Sequence, residues 1–226
     1  MSFFKAKTSK EDVKQGGGTG HIVASGCYPV NIIEPFVSVS KGGSTSVDLF
    51  LEHEGKQQVL YGNLRITNND GSENKIGAKA FNQLAIIADV EEISEPVEAE
   101  LPIGKAGAME DASVLEDLSD IEVLLRVQME YSVYNGSIQE KKIIRGFFRA
   151  EDNASAEEIV NGENFGAQYE KEKAYFDNVT YKDNLDEEAI SAWIAAGRPK
   201  NSVGGSSAPA AKKPSFGKKK AFGKTQ

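Results

Sequence analysis

Strand alternation over Ser137–Ala150 puts Gln139, Lys141, Ile143, Arg145, Phe147 and Arg149 on one side of an extended chain, because successive side chains of a strand point to opposite faces. That side is a row of cations with an aromatic ring among them. The preceding run, Ile121–Tyr134, has Ile121, Val123, Leu125, Val127, Met129, Tyr131 and Val133 at odd positions. A strand that buries this set presents Arg126, Gln128 and Tyr134 outward. The run Gln57–Thr67 adds Tyr61, Asn63 and Arg65 to such a face, and Thr45–Glu54 adds Phe50. Unpaired nucleic acid requires this chemistry: rings that stack on bases for about 1–3 kcal/mol each, beside cations that neutralise phosphates. The expected contact residues are therefore Phe50, Tyr61, Arg65, Arg126, Tyr134, Lys141, Arg145, Phe147 and Arg149. A purely structural arrangement competes with this one. In it Phe147 and Tyr61 pack under C-terminal helices and the arginines pair with the many glutamates, since aromatic residues favour strands in any case.

Catalysis has little to work with. The chain holds no Gly-x-x-x-x-Gly-Lys-Ser/Thr loop, no Gly-x-Ser-x-Gly elbow and no His-Glu-x-x-His, the arrangements that cradle phosphate, expose a nucleophile or bind zinc. Two histidines (His21 and His53) and one cysteine (Cys27) fall short of a four-ligand structural zinc site. Cys27 follows Gly26 in a strand and reads as a buried thiol. Gly16-Gly17-Gly18-Thr19-Gly20 lacks the preceding strand and following helix of a nucleotide loop. The carboxylates Glu110, Asp111, Glu116, Asp117 and Asp120 read as a solvated acidic loop rather than a metal site. No enzymatic activity, metal or cofactor is expected.

The elements that must carry the face follow from turns and periodicity. Residues 1–20 form a polar, glycine-rich lead-in. A first strand lies within His21–Ser40, with Tyr28, Val30, Ile32 and Phe36 on one side. Turns at Lys41–Ser44, Gly55-Lys56 and Asn68–Gly71 separate the next two strands. Spacing of Ile76, Ala80, Leu84 and Ile87 predicts a helix over Lys75–Asp89. Residues 90–120 read as an acidic inserted loop, with one short helix near Ala112–Leu118. Asn135-Gly136 is a two-residue hairpin turn joining the last two strands. Five strands with a helix between the third and fourth is the order of an OB-fold, a five-stranded Greek-key barrel. The expected fold is thus mainly β with α: a barrel over 21–150, a helical extension over 151–197, and a tail over 198–226. Within the extension, Ser155–Glu158 matches a capping box that Gly162 can close, and Ile190, Trp193 and Ile194 share a face of a last helix.

Charge divides along the same boundaries. The net charge of the 226 residues is −8, but Arg198–Gln226 contains eight basic residues and no acid. Of 26 basic residues that leaves 18 against 34 acids in residues 1–197, a net −16. The tail's Gly, Ser, Ala, Pro and Lys composition predicts disorder. Its Ser215-Phe216-Gly217-Lys218 and Ala221-Phe222-Gly223-Lys224 units nearly repeat. Lys212, Lys213, Phe216, Lys218, Lys219, Lys220, Phe222 and Lys224 are therefore further candidates for backbone and base contact. No apolar run approaches the roughly 20 residues that span a bilayer, and a cytoplasmic location is expected.

Several segments together resemble the bacteriophage-encoded single-stranded DNA-binding proteins of the OB-fold class. They are Ser25-Gly26-Cys27-Tyr28-Pro29-Val30-Asn31-Ile32, Val47-Asp48-Leu49-Phe50-Leu51, Ile144-Arg145-Gly146-Phe147-Phe148 and Ala154-Ser155-Ala156-Glu157-Glu158-Ile159. The resemblance covers roughly residues 20–195. It implies a protein of the bacterial host's cytoplasm that coats single-stranded DNA during replication, recombination or repair. It also implies partners among the replication or recombination proteins and self-association as an option. Many proteins of that class end in an acidic tail that recruits partners, whereas this tail is basic. The competing functional classes are a protein-interaction or virion structural module, and a carboxylate-dependent nuclease.

Overall fold

In the computed structural model, residues 20–200 are described, and the chain is mainly β with some helices. One long strand joins most of the sheet. β1 (Gly26–Val39) pairs along one edge with β2 (Thr45–His53), which in turn pairs with β3 (Lys56–Arg65). Along its other edge β1 meets two partners in succession. Its first half takes β6 (Ile121–Tyr134), and Phe36-Val37 take β5 (Glu110–Val114), the second strand of a hairpin with β4 (Val97–Leu101). β6 continues into β7 (Ser137–Arg149) through Asn135-Gly136, both at positive φ, as the twist of a tight hairpin requires. The two-residue β8 (Thr180–Tyr181) adds parallel to β6 and completes an eight-stranded sheet, antiparallel elsewhere.

The alternating residues of β1, β2, β3 and β6 form the main core. Val30, Ile32, Leu49, Leu51, Leu64, Val123 and Leu125 are all buried in it. α1 (Lys75–Ile87) closes one end through Leu84 and Ile87. Asn74 caps it by accepting from the Gly77 N–H at 3.0 Å. Gly77 sits against the end of β3, where a Cβ would lie 1.9 Å from the Arg65 carbonyl oxygen. Only a residue without a side chain lets this helix seat there.

The C-terminal elements cover two surfaces of the β6–β7 hairpin. α2 (Ala156–Asn161) begins with the reciprocal Ser155–Glu158 capping box and ends at left-handed Gly162, as the sequence predicts. α3 (Ala167–Glu172) and the turn after it place Tyr169 and Phe176 on Phe148. α4 (Glu187–Ala195) lays Ile190 and Trp193 on Met129, Tyr131 and Ile138. Ile194, expected on the same face, is 39% exposed.

Residues 90–120 depart from the expectation of a loop. They contain the β4–β5 hairpin, and Ala112–Leu118 is strand followed by a single 3-10 turn at Glu116–Leu118 rather than a helix. The reason lies in what the hairpin covers. Leu101, Ala112 and Val114 alternate with polar residues and close over Phe36 and Phe50 on the outer side of β1 and β2. A run poor in apolar residues overall still forms strand when every second residue has an apolar surface to bury.

No ladder joins β3 to β7 among the described residues. The two strands approach each other where Asn63 Oδ1 accepts from the Ile144 N–H at 3.0 Å. Also among those residues, no helix is long and apolar enough to cross a membrane.

Candidate nucleic-acid interface

Tyr61 on β3 is offered to solvent at 58% exposure, and a local irregularity sets it there. In the β2–β3 ladder Val47 pairs with Leu64 and Leu49 with Leu60, so Asp48 alone faces Tyr61, Gly62 and Asn63. The loop-out is held by Asp48, whose buried carboxylate accepts from the Gly62 N–H at 2.6 Å. Gly62 is left-handed, at φ +67. Burial pushes the Asp48 carboxyl above its ordinary value, against the Gly62 N–H and the Ser38 hydroxyl, which favour its charged form.

Tyr61 is held at its far end as well. Its hydroxyl donates to the Ile103 carbonyl on the β4–β5 hairpin at 3.0 Å, and its ring meets Phe36 edge-on at 6.4 Å. Two hollows share Tyr61 and Val59 as a common wall. The larger, about 500 Å³, runs between β3 and the β6–β7 hairpin and is lined by Asn63, Glu130, Glu140, Lys141, Lys142 and Ile143. The other, about 370 Å³, runs between β3 and the β4–β5 hairpin, along Gln57, Pro102 and Gly104.

The charges differ on the two sides. In the larger cleft the carboxylates already have partners: Glu130 with Lys182 at 2.8 Å, and Glu140 with Arg198 at 3.3 Å and the Tyr131 hydroxyl at 3.2 Å. Among the described residues Lys141 and Lys142 form no ion pair, and neither does Arg65 at the end of β3. Burial lowers the Lys142 pKa, with Glu140 opposing. Across the smaller hollow the β4–β5 hairpin exposes Glu98, Glu100, Glu110 and Asp111. Burial first, then Glu110 and Asp48, raise the Tyr61 pKa. The cationic side of Tyr61 is therefore the β7 side.

The expected face is only partly assembled. Phe50 does point outward from β2, but the β4–β5 hairpin covers it to 4% exposure. Phe147 is turned inward, at 3% exposure. Its reversal comes from a bulge. Arg126 pairs with Gly146 and Val127 with Ile144, leaving Arg145 as an extra residue, and one extra residue exchanges the two faces of a strand. Up to Ile143 the odd residues of β7 face outward. Beyond the bulge Phe147 lies opposite Leu125, in the core, and Phe148 takes the outer side. Arg149 has moved with it, bonding Asp152 at 2.6 Å beside the Phe165 ring, away from the cleft. Arg126 is half-buried, ion-paired to Glu172 and stacked on Phe176. Tyr134 is 68% exposed near the hairpin tip. Arg145 is exposed at the bulge, its Nε donating to Gln128 at 2.6 Å. Tyr61, Lys141, Arg145 and Arg65 thus remain as exposed candidates on the β3 and β7 strands. Lys212, Lys213, Phe216, Lys218, Lys219, Lys220, Phe222 and Lys224 lie outside the described residues.

Lys142 and Asp48 were not expected at the site. Asp48 has a signal in the sequence, because a glycine inside a strand pattern (Gly62) marks an irregularity opposite it. Cys27 is half-buried, and burial pushes its thiol up to about 11, with Arg126 opposing. Among the described residues no group of three or more His, Cys, Asp or Glu side chains is placed to hold a metal ion. No family model matches the chain, and no curated protein matches it.

The Asp48–Gly62 contact yields an expected result. Space around Gly62 is open, so Gly62→Ala meets no side chain and carries only the left-handed strain. That strain is about 1–2 kcal/mol in urea unfolding. Asp48→Asn keeps an acceptor for Gly62. A raised folded pKa means that the wild type is favoured below the ordinary aspartate value and loses that advantage as pH climbs through the folded one. Asp48→Asn should therefore gain stability relative to wild type as pH rises from the ordinary aspartate value through the raised folded one, read by urea unfolding across that range.

Proposed function

We propose that the chain binds single-stranded DNA without strong sequence preference and without turnover, along the cleft between β3 and the β6–β7 hairpin. The observation that carries this reading is the placement of Tyr61. It is an exposed ring tethered at its hydroxyl, standing between two hollows, with cations that have no ion-pair partner on one side. A ring fixed in this way loses little freedom when a base stacks on it, and stacking is indifferent to base identity. Lys141, Lys142 and Arg145 would neutralise phosphates along the β7 edge.

The strand order is compatible with an OB-type barrel in which β1, β2, β3, β6 and β7 are the five strands. In that reading α1 and the β4–β5 hairpin lie between the third and fourth strands, and Asn63–Ile144 is the closing contact. Ligands of that barrel class lie across its second and third strands, where Tyr61 stands. Coating of exposed strands during replication, recombination or repair, in the cytoplasm of a bacterial host, is the role that fits such binding.

A second reading is supported by the edges of β3 and β7, which carry no ladder toward each other. An extended peptide could add there as a strand. Titration of a labelled oligothymidine and of duplex DNA, each at two salt concentrations, separates the two. Strand binding should weaken with salt, and Lys141→Ala or Arg145→Ala should each lower the logarithmic salt slope by about 0.7. No binding of oligothymidine at low salt would exclude the nucleic-acid reading and leave the peptide one.

A further inference from the structure

The walls of the larger cleft beside Tyr61 carry no net charge of their own. The charged residues that line it are Glu130 and Glu140 against Lys141 and Lys142, so two carboxylates cancel two ammonium groups. The opposed charges are close in the ladder. Glu130 pairs directly with Lys141 across β6 and β7, and Glu140 lies two residues before Lys142 on β7. The two glutamate side chains are only 12% and 23% exposed. Partly buried charges are screened less than open surface ones, so either carboxylate left alone would oppose a phosphate entering the cleft.

The positive surplus comes from farther along the chain. Lys182 Nζ pairs with Glu130 at 2.8 Å, and Arg198 Nη2 pairs with Glu140 at 3.3 Å. Neither cation belongs to β3, β6 or β7, and each arrives on anchored backbone. Lys182 follows β8, which lies parallel to β6, and its N–H donates to the Tyr131 carbonyl at 2.9 Å. Asp183 fixes the next residue by accepting from the Val133 N–H at 2.8 Å. Arg198 stands in the turn after α4. Its N–H donates to the Trp193 carbonyl at 3.0 Å, and its guanidinium lies 5.9 Å from the centre of the Trp193 ring. Trp193 in turn is packed with Met129, Tyr131 and Ile138 of the hairpin.

Resting on the reading that the cleft holds single-stranded DNA, we infer that Lys182 and Arg198 are positioning residues that set the sign of the cleft: each neutralises a carboxylate of the wall and so leaves Lys141 and Lys142 to face phosphates. With the two added, four cations stand against two carboxylates. Neither has to touch the strand. The C-terminal extension is then part of the binding unit as well as a cover for the β6–β7 hairpin.

A charge cycle in the full chain tests this by oligothymidine titration at about 0.01 M and about 0.1 M salt. Arg198→Gln should weaken binding about three- to tenfold at the lower salt, the effect of one uncompensated charge about 6 Å from a phosphate at an effective dielectric between about 40 and 80. Glu140→Gln should tighten binding by a similar factor. The double variant Arg198→Gln/Glu140→Gln should bind like wild type, because the charge of the pair is again zero. Arg198→Lys keeps the charge without the guanidinium fork and should stay within about twofold of wild type. Lys182→Gln, Glu130→Gln and their double variant form a second cycle with the same pattern, and it leaves the turn at Trp193 untouched. All these differences should narrow at the higher salt, where the screening length falls from about 30 Å to about 10 Å. Double variants as weak as Arg198→Gln and Lys182→Gln alone overturn charge compensation, since the cations would then act on the strand or the fold directly. Equal affinities of wild type, Arg198→Gln and Lys182→Gln overturn it too. Binding by the wild type in those cases leaves the cleft reading standing. Absence of oligothymidine binding by the wild type at the lower salt removes both.

Discussion

Tyr61→Ala will weaken oligothymidine binding by about five- to 150-fold, the equivalent of about 1–3 kcal/mol for one stacked base. Its stability in urea will stay within about 0.5 kcal/mol of wild type, as for exposed residues generally. The ring is more than half exposed, and what it contributes to the fold is an edge contact with Phe36 and one hydrogen bond to Ile103. Tyr61→Phe removes that hydrogen bond and keeps the π-face, so it will retain most of the affinity. The logarithmic salt slope will be the same for all three proteins, because no phosphate partner is removed. This signature distinguishes stacking from a general loss of positive potential. Equal affinities of Tyr61→Ala and wild type would take the β3 surface out of the binding site.

Phe147→Ala will act in the opposite way, by destabilising the fold. Phe147 is buried opposite Leu125 in the main core, where truncation leaves a cavity that the rigid β6–β7 ladder cannot collapse. The expected loss is about 3–5 kcal/mol, from a total stability that for most domains is only about 5–15 kcal/mol. At a urea dependence near 2 kcal/mol per molar the unfolding midpoint will fall by roughly 2 M. Phe147→Leu fills most of the volume and will lose less than half as much. Its oligothymidine affinity, measured well below its unfolding midpoint, will match wild type if Phe147 has no contact with the strand. An affinity loss in Phe147→Leu comparable to that of Tyr61→Ala would place Phe147 in the interface despite its burial.

The two substitutions differ because of one bulge, and that bulge marks how far residue types and spacing reach. Alternation along β2, β3 and β6 was legible directly. Leu49, Leu51, Leu64, Val123 and Leu125 are buried as their spacing requires, and Tyr61 and Arg65 are exposed on β3. The capping box at Ser155, the turn at Asn135-Gly136 and the helix following Asn74 are local chemistry, and they form where that chemistry stands. Along β7 the same alternation misplaced Phe147 and Arg149. A strand pattern has a period of two only while each residue has one partner. Arg145 has none in the β6 ladder, so everything beyond it changes sides.

Residue type and order by themselves determined that rings and cations alternate on strands, that the acidic and basic charge are segregated along the chain, and where the main turns fall. Tertiary structure alone decided which of those rings reach solvent. The β4–β5 hairpin closes over Phe50, the C-terminal helices engage Arg126, and the Asp48–Gly62 contact lifts Tyr61 clear of the sheet. The physical reason is that exposure belongs to what packs on a residue from far along the chain. Local periodicity sets only the face, and covering that face depends on apolar surface that distant elements must bury.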